Sequence, residues 1–185
     1  MNKKLLMLFA EGYETGEALV PVDVLRRGGV EVTMASITDE MTVTSAQGIS
    51  VSMNAKLSEI EPLDYDAIVL PGGMPGTTHL GESDLVKKAL LSMNEAGRLV
   101  AAICAAPGVL GKHGLLQAKK ACCYPGLEGN LIGAEVTMDK VTIDGNIVTS
   151  RGLGTAMDFG LTLLALLESK EVSDNIRESI VYGVS

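Results

Sequence analysis

The sequence predicts an α/β protein whose parallel sheet is flanked by helices. Three observations carry this reading. Short apolar runs rich in β-branched residues alternate with stretches of helical periodicity. Glycines close the helical stretches, as at Gly28, Gly29 and Gly97. No repeat, linker or shift of composition divides the 185 residues, so one domain spanning 1–185 is expected, with ample chain for a continuous core.

Each element has its own local signal. Residues 5–9 read as a buried strand. Residues 14–27 read as a helix, with Leu19, Val22, Val24 and Leu25 as its apolar positions. Residues 30–35 form a second strand and 66–70 a third, which Pro71, Gly72 and Gly73 stop abruptly. Ser83 is an N-cap residue with Asp84 in the first turn, opening a helix through residue 95. Residues 98–103 are a continuous apolar strand, and the next helix is expected to begin at or near Cys104. Residues 135–138 and 140–143 suggest a small hairpin, 147–150 a strand, and 158–168 and 172–181 closing helices.

Composition excludes several partners. The net charge is −8, and the basic residues are scattered in pairs such as Lys3-Lys4 and Arg26-Arg27 rather than gathered in a stripe. Aromatics are 3% with no Trp, so neither phosphate binding nor base stacking is provided for, and no nucleic acid is expected. No apolar run approaches the ~20 residues that cross a bilayer, so no membrane is expected either. The opening lysines and apolar residues 5–10 superficially resemble an export signal, but Glu11 and Glu14 follow at once and no small-residue cleavage site is present. With only three cysteines, a reducing cytoplasm is the expected compartment.

Cys104 lies in the most informative stretch. A hydrophobic strand running straight into a tight turn and a helix has the logic of a nucleophile elbow. Such a turn needs small residues two positions either side, and Ala102 and Ala106 occupy them. A helix N-terminus there would favour thiolate, and the N–H of Ala105 would face an oxyanion formed on attack. Free cysteines are also common core fillers, so spacing alone leaves both roles open. Open α/β sheets bind ligands at the carboxyl ends of their strands. Gly72 and Gly73 sit at such an end, where their backbone either supplies a second oxyanion donor or simply makes a tight turn.

The chain resembles the ThiJ/PfpI superfamily, in the branch that holds the Parkinson-disease-associated deglycase. The resemblance runs nearly end to end, through Glu14 and Glu17, Pro21-Val22-Asp23-Val24, and Val69-Leu70-Pro71-Gly72-Gly73. Ala101 to Pro107 and Thr149 to Thr155 complete it. It implies a flavodoxin-like three-layer sandwich, a homodimer, a reactive Cys104 and a carboxyl partner at Glu17. Two anions in contact repel, so a thiolate would keep Glu17 protonated and the two titrations coupled. Pocket residues are expected at Glu14, Tyr124 and Arg151.

Tyr124 is a departure, because members that work as Cys–His hydrolases place a His there, just before a Pro. Without it a protease or amidase lacks its usual proton shuttle. Leu153 is another, where close relatives often carry Pro. His79 and His113 are expected at the surface, and Cys122 and Cys123 as core fillers on opposite faces of a strand. No metal or cofactor motif is present; Gly72 to Gly76 lacks the ending of a phosphate loop. Two functions fit the resemblance. One is a cofactor-independent glyoxalase or deglycase acting on small dicarbonyls or glycated protein. The other is a non-enzymatic redox sensor or chaperone.

Overall fold

The computed structural model describes residues 2–183. A seven-stranded sheet runs through the middle in the order β10-β11-β7-β6-β1-β2-β5. Its strands are β1 (Lys4–Phe9), β2 (Glu31–Ser36), β5 (Ala55–Lys56), β6 (Ala67–Leu70), β7 (Leu99–Ile103), β10 (Val141–Asp144) and β11 (Ile147–Ser150). All neighbours pair in parallel except β10 and β11. A hairpin of β3 (Thr42–Thr44) and β4 (Ser50–Ser52) and a parallel pair of β8 (Lys120–Ala121) and β9 (Glu135–Val136) stand apart.

Side-chain alternation along the strands explains the layering. On β1, Leu5, Met7 and Phe9 face one core with α1 (Thr15–Arg27), α5 (Ala156–Leu167) and α6 (Lys170–Ser179). Leu6, Leu8 and Ala10 face the other, with α2 (Gly76–Glu82), α3 (Asp84–Glu95) and α4 (Pro107–Lys112). Buried on both faces, the strand therefore reads as an unbroken apolar run rather than an alternating one. The expected α/β class, with helices on both faces, is what the molecule adopts.

Helix α1 and α5 approach closely because Gly160 has no side chain; a Cβ there would press on Pro21 Cα at 3.1 Å. The last turn of α1 carries Arg26 and Arg27, which suit the negative end of the helix dipole. Gly29, at φ +89°, lets the chain turn back into β2.

Several expectations need correction. The second strand begins at Glu31 and the third at Ala67, one residue later than read. Residues 135–138 and 140–143 do not form a hairpin: Glu135 pairs with Lys120, and β10 pairs with β11. Most consequential, no helix starts at Cys104. Helix α4 begins at Pro107, after a turn through residues 104–106, and is only six residues long.

Candidate active site

The sheet changes direction of winding between β1 and β6: from β1 the chain moves outward to β2 and β5, then returns to the other side. Such a switch point opens a crevice at the carboxyl ends of the strands. The ends of β1, β6 and β7 deliver Glu14, Gly72–Gly73 and Cys104 to it.

Cys104 has φ 66°, the left-handed region that a residue with a Cβ enters only under constraint. The constraint is visible. Its N–H donates to Ser150 O at 3.0 Å, and its carbonyl accepts from Tyr124 N–H at 2.8 Å. The turn closes with Ala106 N–H on Ile103 O at 3.1 Å. The elbow is thus held from two sides, with the thiol half-buried.

Glu17 arrives from the first turn of α1, which Glu14 caps by accepting the Glu17 N–H at 2.6 Å. Glu14 is itself anchored through its N–H to Gly72 O at 2.9 Å. Glu17 is only 2% exposed, and its Oε2 has no partner of full hydrogen-bond geometry among the described residues. Gly72 leaves the room: a Cβ there would collide with Glu17 Oε2 and come within 2.6 Å of Cys104 Cβ. Gly73 has φ +93°, and a Cβ on it would strike the backbone of Tyr13 and Glu14. Gly72→Ala is accordingly expected to cost about 1–3 kcal/mol by overpacking. Thermal melting checks this; an unchanged midpoint would contradict the packing described.

Burial, foremost, pushes the Glu17 carboxyl up to about 7, and the charge of Glu14 adds to it. A hydrogen bond with Cys104 and the N–H groups of Gly72 and Leu153 work in the opposite direction. Burial and the negative charge of Glu17 push the Cys104 thiol up to about 12, while the N–H groups of Ala105 and Gly73 pull it down. Beside an ionised Glu17 the thiol therefore stays protonated. Besides burial, which is the larger cause, an ionised Glu17 opposes a thiolate. Once Glu17 carries the proton that repulsion disappears, and its O–H donates toward sulfur. The pair therefore holds a single negative charge above about pH 7.

The predicted site residues divide clearly. Cys104, Glu17, Gly72, Gly73 and Ala105 come together. Glu14 joins them through the α1 cap and its charge. Tyr124 is 52% exposed and borders a cavity of about 320 Å³ with Cys104, Ala105 and Gly73. Arg151 lines a neighbouring cavity with Tyr124, Lys140 and Leu153, and its guanidinium reaches Met138 O at 3.4 Å. It stands beside the cysteine pocket rather than in it.

His79 is exposed on α2, whereas His113 is half-buried at the end of α4 rather than at the surface. Neither lines the Cys104 cavity. Cys122 and Cys123 are buried as expected, but just beyond β8 rather than in a strand. Sequence reasoning missed Met74 and Leu127 as walls of the pocket, and Gly152. A Cβ on Gly152 would meet Tyr124 Cδ2 at 3.4 Å and Glu17 Oε1 at 3.6 Å. Its place within the Thr149–Thr155 motif was the available signal.

Fold and site together define a flavodoxin-like α/β protein with a cysteine–carboxyl pair at its switch point. The chain belongs to the DJ-1/PfpI family, whose model matches residues 3–166. It is 42% identical to the DJ-1 homolog B of Arabidopsis thaliana over 97% of its own length, but spans only 42% of that longer protein. It is 33% identical to the glutathione-independent glyoxalase DJR-1.2 of Caenorhabditis elegans, covering 93% of this chain and 92% of that one. The structure of oxidized DJ-1 from Toxoplasma gondii superposes with a TM-score of 0.94 at 36% identity, over 98% of this chain and 100% of that one. Among the described residues no helix is long and apolar enough to cross a membrane.

Proposed function

We propose that this chain is a cysteine-dependent, cofactor-independent protein that converts small dicarbonyls, or their adducts on proteins, to 2-hydroxy acids. One observation carries the reading. The buried Glu17 carboxyl lies within hydrogen-bonding reach of the Cys104 thiol, while the N–H groups of Gly73 and Ala105 face the sulfur. The name of the Caenorhabditis elegans relative supports the same chemistry.

In this reading the Cys104 thiolate adds to the aldehyde carbon of methylglyoxal. A C–S bond forms, and the aldehyde oxygen takes the proton that Glu17 held. The N–H groups of Gly73 and Ala105 steady that oxygen as charge develops on it. Glu17, now a carboxylate, removes the proton from the former aldehyde carbon and returns it to the adjacent carbon through an enediol, while the hydroxyl proton passes from the former aldehyde oxygen to the former ketone oxygen. The product is a thioester of lactate on Cys104. Water hydrolyses it, releasing lactate and restoring the cysteine. A glycated protein would enter at the hemithioacetal stage with the side-chain nitrogen as leaving group.

Lactate formation from methylglyoxal, followed for the wild type and for Cys104→Ser, tests the reading. The wild type is expected to turn over, and the serine variant to fall to the uncatalysed background. Absence of lactate from the wild type would refute the proposal in favour of a non-enzymatic thiol sensor. We also propose a homodimer, on family grounds and on the general frequency of symmetric dimers. Sedimentation equilibrium at micromolar concentration should return twice the chain mass; a monomer contradicts it.

A further inference from the structure

A second cavity, of about 460 Å³, opens between α2 and α4 beside the cysteine pocket. The two share Met74, Ala105 and Leu127 as walls. Met74 is 61% exposed, an adaptable side chain standing between them. Glycines let its walls pack closely: a Cβ on Gly81 would touch Val109 at 3.5 Å, and one on Gly108 would press on Asn130 at 3.0 Å. Its lining is mostly apolar by area, with Thr78, Glu82, Lys112 and Asn130 at its polar margin. Thr77 Oγ1 is buried there without a partner among the described residues. The amine of Lys112 is occupied by Gly81 O at 2.8 Å.

A three-carbon dicarbonyl at Cys104 would leave this space unused. We propose that it is an arm subsite, taking the aryl or branched alkyl group of a carbonyl compound whose reacting carbon sits at Cys104. The arm passes the shared wall at Met74 and Leu127. The proposal deepens the dicarbonyl reading by naming the substrate class, and its test does not depend on turnover.

Alkylation of Cys104 reads the subsite directly. At pH 8 the thiolate displaces iodide from 2-iodoacetamide or from N-benzyl-2-iodoacetamide; a C–S bond forms, the C–I bond breaks and iodide leaves. The ratio of the two rates, divided by the same ratio for free glutathione, isolates the benzyl arm. It is expected to exceed unity about tenfold, the gain from withdrawing roughly 55 Å² of apolar surface from water. Thr78 lines the cavity on the exposed side of α2, so Thr78→Phe should fill it and return the ratio to about one, while Thr78→Ser keeps the preference. Because each ratio is taken within one variant, a general change in thiol reactivity cancels. A wild-type ratio near one overturns the subsite, and so does a preference that survives Thr78→Phe. A protein that prefers the benzyl reagent but makes no lactate keeps the subsite and loses the dicarbonyl reaction.

Discussion

Glu17→Gln is expected to lower methylglyoxal turnover by about 10²–10⁴-fold while leaving Cys104 open to alkylation. Glutamine fits the space under Gly72 and can still donate a hydrogen bond toward sulfur, but it cannot carry a proton between two carbons. The barrier to proton transfer returns while the binding geometry stays. The thiol should stay as reactive or become more so, because the negative charge of Glu17 is one of the causes that raise it. The N–H groups of Ala105 and Gly73 remain in place to favour thiolate. Lactate formation and iodoacetamide labelling, measured on the same preparation, separate the two effects. Full turnover in Glu17→Gln would remove Glu17 from the mechanism. Loss of labelling together with turnover would mean the substitution had deformed the elbow.

How much of this was legible in the sequence differs from element to element. The central strands announce themselves as unbroken apolar runs because both of their faces are covered, so β1, β6, β7 and β11 lay within a residue or two of expectation. Edge pieces were harder. Strands β3, β4 and β5 have three residues at most, too short for a period to show. Helix α2 was missed because glycines at both Gly76 and Gly81 dilute a seven-residue helix.

In the site, Cys104, Gly72 and Gly73 were readable from turn chemistry, since a strand that ends in a tight turn needs small residues. Glu17 was not. A carboxyl in the first turn of a helix usually faces water, and only the close packing of α1 against the β6 and β7 turns buries it. The family resemblance supplied what the residue type could not. The helix expected at or near Cys104 opens three residues later, at Pro107, and burial, the charge of Glu17 and the N–H groups of Ala105 and Gly73 are what bear on the thiol.

Activity and stability are expected to move in opposite directions with pH, because both depend on the same proton. The reactive form of the pair carries one negative charge, and its first proton leaves near pH 7. Turnover should therefore rise with pH through that value and lose about a hundredfold from pH 8 to pH 5, tenfold per unit at the acid end. For stability the sign is fixed by comparison with the unfolded chain, where Glu17 has the ordinary value of 4.5. A folded value raised to about 7 means the native state holds the proton more tightly than the unfolded state. The resulting stabilisation is fully present below 4.5 and is lost as pH rises through about 7, up to about 3 kcal/mol at full effect. Other carboxylates run the other way at lower pH; Asp66, for example, is held below its ordinary value, though burial opposes this, by the Lys4 N–H and the charges of Lys3 and Arg98. The decisive comparison is therefore the difference between the wild type and Glu17→Gln rather than either curve alone. Urea unfolding at pH 5.5 and at pH 8 should show the glutamine variant gaining on the wild type at the higher pH, where burying a charge costs the native protein most. A difference that does not change with pH would show that Glu17 titrates as an ordinary carboxyl, and the acid limb of the activity profile would then have to come from another group.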